Sequence, residues 1–350
     1  SAKVHGTEHV KKVTVKVCNT DITFEVTNLT PIEHAYSARL ALIATDDDVN
    51  EITPSVIVRN KGEIVDAQIV WTSNNESVVK VENGKFVAVS EGNAEITGAY
   101  ENNNIKVLVE AYRPTIRKDG KIVFETEKFL PKENGAIVGE GTASSVTITG
   151  EFTGNVTGVR LGDTDICSNF DANTGVLTVN KTNLAKVTAM GDMTLSLDTD
   201  KAIYEFDAAV VTKIITTEAE FAKWHEVAKN QTAEEYFYDG YFVLGNDLDF
   251  ADKDAYEAYW KYTQDTDKFW DKSALCGFRG TFDGDGHTIN GLNPLYSKNL
   301  PEEGSGSVFG TLSGGTIKDI IFTNYNHRAT GGGALIAAGW GNMENIYIEC

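Results

Sequence analysis

The sequence predicts an all-β protein: two β-sandwich domains followed by a parallel β-helix that one helix caps at its start. Short β-branched or alternating segments recur from residue 11 to residue 211, with Gly, Asn and Asp between them. That is the pattern of half-buried strands joined by tight turns. A glycine-bounded hydrophobic stripe then returns at "GHTINGL" (286–292), "GGTIKDI" (314–320) and "GNMENI" (341–346), as expected of coils stacked on one another. Between the two regimes lies the clearest amphipathic helix of the chain, "TTEAEFAKWHEVAKN" (216–230).

Composition bounds what such a chain can do. Its 350 residues exceed one ordinary domain. No apolar run approaches about 18 residues, so no segment reads as membrane-inserted. The first residues, "SAKVHGTEHV", lack the apolar stretch of a signal peptide. With 51 acidic against 31 basic residues the formal net charge is −20, which repels phosphate backbones and argues against a nucleic-acid partner. Cys18, Cys167, Cys276 and Cys350 lie far apart with no C-x-x-C pair. That excludes a zinc signature and leaves open either free thiols or one or two long-range bridges.

The first domain is read as 1–112. Its strands are "KKVTVKV" (11–17), "AQIVWTS" (67–73), "KFVAV" (85–89) and "IKVLVEAY" (105–112), with "ENGK" (82–85) and "ENNN" (101–104) as hairpin turns. The stretch "VWTSNNESVVKVENGKFVAVSEGNAEITGAY" (70–100) carries a Trp, Ser-rich turn residues, a Val strand, Asn-Gly, a short apolar strand, then Gly and A-x-I-x-x-A. In those features it resembles the second half of a bacterial immunoglobulin-like domain of group 2, a likeness extended more loosely over about 30–112. The resemblance implies a sandwich in which Trp71 fills the space between sheets, Asn83–Gly84 makes the turn and Gly92 breaks the chain before the returning strand.

Residues 113–213 form a second strand-rich block. "SSVTITGEFTGNVTGVRLGD", "GVLTVN", "MTLSLDTD" and "AIYEFDAAVV" alternate and turn as a sandwich does. Pro114 and the basic residues Arg113, Arg117, Lys118 and Lys121 mark the junction before it.

The third block is 214–350. Thr217 and Glu220 make a capping box, and Phe221, Trp224, Val227 and Ala228 fall on one helix face. The order that follows is "GYFVLGNDLDF" (240–250) and then "FRGTFDGDGHTINGL" (278–292). Together with the helix it resembles the N-terminal part of a right-handed parallel β-helix of bacterial surface proteins. "GSVFGTLSGG" (306–315) is similar to the glycine-rich repeat of bacterial adhesins. The repeat predicts Ile289, Ile317 and Met343, 28 and 26 positions apart, as one interior ladder. Leu292, Ile320 and Ile346 make another. A last coil ending at Cys350 would leave an apolar end, so the chain is expected to continue or to be covered by a partner.

Two candidate sites emerge. "FDGDGHT" reads chiefly as a coil corner in which Gly284 and Gly286 turn the chain and His287 is a corner hydrogen-bonder, while Asp283 and Asp285 cap backbone N–H groups. The same two carboxylates are also hard-oxygen ligands suited to Ca²⁺. The segment 251–277 interrupts the stripes and concentrates Tyr256, Tyr259, Trp260 and Trp270 among acids. These rings either plug the stack or form platforms for a sugar face.

The combined resemblance implies a modular extracellular protein of a bacterial cell surface. Adhesion or binding to a glycan, or to a host or neighbour-cell surface protein, is its expected role. An enzymatic role in this region is disfavoured, because no nucleophile elbow, P-loop or dinucleotide fingerprint is present. The alternatives are a polysaccharide-active β-helix enzyme with its site outside this region and a phage virion structural or receptor-binding protein.

Overall fold

The computed structural model describes residues 22–126, 144–166, 169–229, 239–251, 278–292, 308–309, 311–325, 335–336 and 338–349. The described chain is all-β apart from two helices, Lys181–Leu184 and Glu218–Lys229. It divides into two compact units. One holds the residues up to Lys118 with Glu151–Gly158 and Ser196–Glu205. The other holds Asp119–Gly150, Val159–Leu195 and the chain from Phe206 onward.

In the first unit a five-stranded sheet runs in the order Thr30–Ile32, Ala35–Ala41, Asn103–Tyr112, Gly92–Tyr100 and Val70–Ser73. Two three-stranded sheets accompany it. The strand Asn103–Tyr112 alternates buried and exposed almost without a break, because one face meets the core and the other meets water. Ile96, Val107, Leu40 and Phe86 lie at the centre of that core. Asn83 and Gly84 both take positive φ, 51° and 82°, in the turn between Val79–Glu82 and Lys85–Ala88. Such a turn needs that conformation at both central positions. Trp71 is half-buried rather than central. Its ring meets Phe86 of a neighbouring sheet edge-on at 5.0 Å, and it lies where a Cβ on Gly98 would come within 2.5 Å.

Residues of the second block form a five-stranded sheet in the order Thr115–Glu125, Ile203–Val211, Gly191–Thr199, Val156–Leu161 and Thr164–Asp165. A three-stranded sheet of Ser144–Thr147, Val176–Val179 and Asn169–Asp171 completes the block.

From residue 213 the pairing turns parallel throughout. Lys213–Ile215, Tyr241–Leu244, Thr281–Asp283, Thr311–Thr323, Thr288–Asn290 and Leu248–Asp249 follow one another in hydrogen-bonded order. Ala338–Ile348 pairs with Thr311–Thr323. The pairing sets up two ladders. Phe242, Phe282, Ile317 and Met343 stand in one register, and Leu248, Ile289, Phe322 and Ile348 in the other. The first three members of each are at most 1% exposed, whereas Met343 is 48% and Ile348 39% exposed. Burial of a ring such as Phe282 contributes about 1.5–3 kcal/mol.

One expected ladder is thereby corrected. Ile317 does stand beside Met343, and Ile320 beside Ile346, but Ile289 faces Phe322 and not Ile317. The true partner of Ile317 on that side is Phe282. The same Gly-x-Thr-Ile wording leads into one ladder in "GGTI" and into the other in "GHTI", so equal letters mark different registers of the sheet.

The recurring element is a glycine column. Gly240, Gly280, Gly315 and Gly341 each sit one residue before Tyr241, Thr281, Thr316 and Asn342, which pair in series. A Cβ on Gly280 would stand 2.0 Å from the Gly240 carbonyl oxygen, and one on Gly341 2.3 Å from that of Gly315. No side chain fits between successive strands there.

The helix Glu218–Lys229 closes one side of this core. Glu220 N–H donates to Thr217 Oγ1 at 3.2 Å, and the Glu220 carboxylate accepts from the N–H and hydroxyl of Thr216, both at 2.8 Å. The capping box therefore forms with its return bond one residue earlier than the motif predicts. Trp224 lies against Phe282, 4.8 Å between ring centroids, and Phe221 against Phe250 at 5.6 Å.

Candidate functional site

Asp283 follows Phe282, so when the phenyl ring points into the core the carboxylate points to the opposite face of the sheet. It is nevertheless 2% exposed. Lys318, directly opposite in register, brings Nζ to 2.9 Å from Asp283 Oδ2. The Tyr241 hydroxyl donates to the same oxygen at 2.7 Å. The Asp285 N–H donates to Oδ1 at 2.9 Å. Around this centre Lys121 reaches Asp192 at 3.0 Å and Asp285 at 3.7 Å, and Lys318 reaches Asp192 at 3.8 Å. Tyr241 and Val243 of the same face pack with Ala209 and Val211.

These contacts fix the charge states. Burial works against ionisation of Asp283, but the hydrogen bonds from Lys318 and Tyr241 outweigh it and hold the carboxyl below the usual range. On Tyr241, burial and then the Asp283 hydrogen bond both hold the proton on, far above the ordinary phenol value. Lys318 is disfavoured as a cation by burial, yet Asp283 and Tyr241 raise its affinity for the proton above the lysine norm. The result is a closed acid–base set, ionised and saturated by its own partners. It ties three neighbouring parallel strands of one sheet together.

The corner itself differs in detail from expectation. Positive φ falls on Asp285 and Gly286, 49° and 80°, whereas Gly284 is needed for closeness, since a Cβ there would meet the Asp319 carbonyl oxygen at 2.4 Å. His287 Nδ1 lies 3.1 Å from Asp247 Oδ1, which also accepts the Thr288 N–H at 2.8 Å. Asp283 and Asp285, read as calcium ligands, thus face Lys318 and Lys121. Among the described residues no group of three or more His, Cys, Asp or Glu side chains is arranged to hold a metal ion. Tyr256, Tyr259, Trp260 and Trp270, and the four cysteines, lie outside the described residues.

A second feature was not foreseen from sequence. On the water-facing side of the five-stranded sheet of the first unit, a groove of about 530 Å³ is lined by Ser37, Arg39, Asn74, Asn93, Glu95, Leu108 and Glu110, with backbone between them. Arg39 Nε donates to Glu110 at 2.8 Å, and Lys106 pairs with Glu95 at 2.9 Å. Asn74 Oδ1 accepts the Glu95 N–H at 2.8 Å. Leu108 sits between these pairs and is 44% exposed. The only sequence signal is an apolar residue at an outward position of the alternation in "IKVLVEAY", invisible until the neighbouring strands are known.

No family model matches the chain, and no curated protein matches it. Among solved structures it is similar to the S-layer protein rSbsC(31-844), at 17% identity over 55% of this chain and 28% of that one, with a TM-score of 0.21. It is also similar to the Bacteroides ovatus mixed-linkage glucan utilization locus SGBP-B in complex with mixed-linkage heptasaccharide, at 13% identity over 56% and 49% of the two chains, TM-score 0.20. The N-terminal four Ig domains of Dscam1 isoform 9.44 align at 9% identity over 57% and 47%, TM-score 0.22. The match thus spans less than half the length of each of these three proteins.

Proposed function

We propose that this chain is part of a modular extracellular protein of a bacterial cell surface. Two Ig-like sandwiches, 1–112 and 113–213, lead into the N-terminal part of a right-handed parallel β-helix, and the region binds rather than catalyses. Its ligand is a glycan, or a protein on a host or neighbouring cell. The observation that carries the reading is the in-register parallel stack with its glycine column, Gly240, Gly280, Gly315 and Gly341. Stacking of this kind adds core one coil at a time and presents a long, regular flank, which suits contact with extended or repeated surfaces. The buried charge set at Asp283 adds support, because its members are consumed by one another and have no access to a substrate.

Within this reading the segment holding Tyr256, Tyr259, Trp260 and Trp270 is the contact for a sugar face. Aromatic rings offer apolar planes, and the intervening acids offer acceptors for hydroxyls. A glycan array probed with the wild-type chain and with Trp260→Ala/Trp270→Ala tests it. Loss, in the variant, of at least one glycan that the wild type binds is the expected result. Equal binding by both, or none by either, would turn this segment into a plug for the stack. Antibody labelling of intact producer cells checks the location independently.

A further inference from the structure

We propose that the groove on the first unit is a second binding site, and that its ligand is a neutral saccharide. The charges there are already matched: Glu110 is held by Arg39 and Glu95 by Lys106. A cation arriving at either carboxylate meets a guanidinium or ammonium already beside it, and an anion meets two carboxylates. A hydroxyl-rich neutral ligand meets neither obstacle. Paired planar groups still offer unused lone pairs and N–H bonds to vicinal hydroxyls.

Two amides add to this set. Asn74 spends its oxygen on the Glu95 N–H, which leaves its NH₂ turned to donation. The Asn93 side chain has no hydrogen-bond partner among the described residues and is exposed beside Glu110. Leu108 supplies the apolar element, lying in register between Ser37 and Glu95. A small apolar surface ringed by amide, carboxylate and guanidinium complements a pyranose ring, whose C–H face is apolar and whose rim is hydroxylated. The volume of about 530 Å³ falls in the usual range for ligand sites, about 300–1,000 Å³. The lining residues belong to paired strands, except Asn74, which two hydrogen bonds tie to Glu95, so the backbone that carries the recognising groups is set before any ligand arrives.

The inference rests on the binding-module reading above but uses residues far in sequence from the aromatic segment, and the two fail separately. The test is equilibrium binding of the full chain to neutral oligosaccharide series (β-glucan, xylan, mannan and α-glucan), with oligogalacturonate and Ca²⁺ as charged probes. At least one neutral series is expected to bind, with little change on adding salt. Asn93→Ala and Leu108→Ala, both at solvent-facing positions, are each expected to weaken it about tenfold with unchanged melting. Trp260→Ala/Trp270→Ala is expected to lose only the glycans held by the aromatic segment and to keep those whose binding Asn93→Ala and Leu108→Ala weaken. Failure of every neutral series, preference for a charged probe, or wild-type affinity in both groove variants would overturn the groove site. Binding lost only in the Trp variant would do so while leaving the proposed function standing.

Discussion

Both units oppose charges across neighbouring strands, and water decides what each opposition is worth. On the first unit Arg39 and Glu110 sit in register with side chains 64% and 50% exposed, at 2.8 Å. In the second unit Lys318 and Asp283 also sit in register, at 2.9 Å, with exposures of 20% and 2%. Exposed pairs contribute about 0–1 kcal/mol, because solvent screens them and both side chains lose freedom. A buried pair is different in kind: removing one partner strands the other away from water. Arg39 and Glu110 therefore stay adjustable at the surface, whereas Lys318 and Asp283 act as fixed joinery.

The sharpest way to break this contrast is Lys318→Met. It is expected to destabilise the second unit by about 3–5 kcal/mol, seen as a lower urea midpoint. Lys106→Met on the first unit should cost no more than about 1 kcal/mol. Similar losses for the two would show that burial does not separate them. Next in size is Gly280→Ala, where the added methyl meets backbone. A loss of about 1–3 kcal/mol is expected, with protease sensitivity rising in the parallel stack and not in the first unit. Thr217→Ala removes the acceptor of the Glu220 N–H and should cost about 1 kcal/mol by chemical denaturation.

The smallest effect is in pH dependence. The folded-state affinity of Asp283 for the proton is lowered. Its contribution is thus fully present above the unfolded value of about 3.9 and fades as pH falls through the folded one. Lys318 is shifted the opposite way from its usual value, so its share is complete below about 10.4 and is lost as pH rises through the higher folded value. In Asp283→Asn both limbs should flatten for the second unit, measured as melting temperature against pH. Limbs identical to those of the wild type would remove the pair from the account.

Much of this architecture was legible because it is local. Alternation in "IKVLVEAY" and Asn-Gly at 83–84 specify a strand and its turn through one residue's neighbours. The capping box and the inward faces of Phe221 and Trp224 follow from helical spacing in the same way. What misled was long-range register. "GHTI" and "GGTI" look like one position repeated, yet the parallel sheet carries two apolar ladders, and nothing local in Ile289 states which of them it serves. The Asp283 set was hidden for the same reason, since a Tyr 42 positions earlier and a Lys 35 positions later become partners only through stacking. The groove was less legible still, drawn from three strands and from Asn74 just beyond a fourth, whose outward residues are individually ordinary.

The column of glycines has one more consequence. Its members are 40, 35 and 26 positions apart (280 − 240, 315 − 280, 341 − 315), although the residues that follow them, Tyr241, Thr281, Thr316 and Asn342, pair in one series. Strand pairing is therefore dictated along one bare edge, while the length of chain between strands is left free. Connections of very different length can be spliced between successive strands without altering that pairing. A framework of that sort tolerates novelty wherever the chain leaves the edge, and forbids it along one line of atoms.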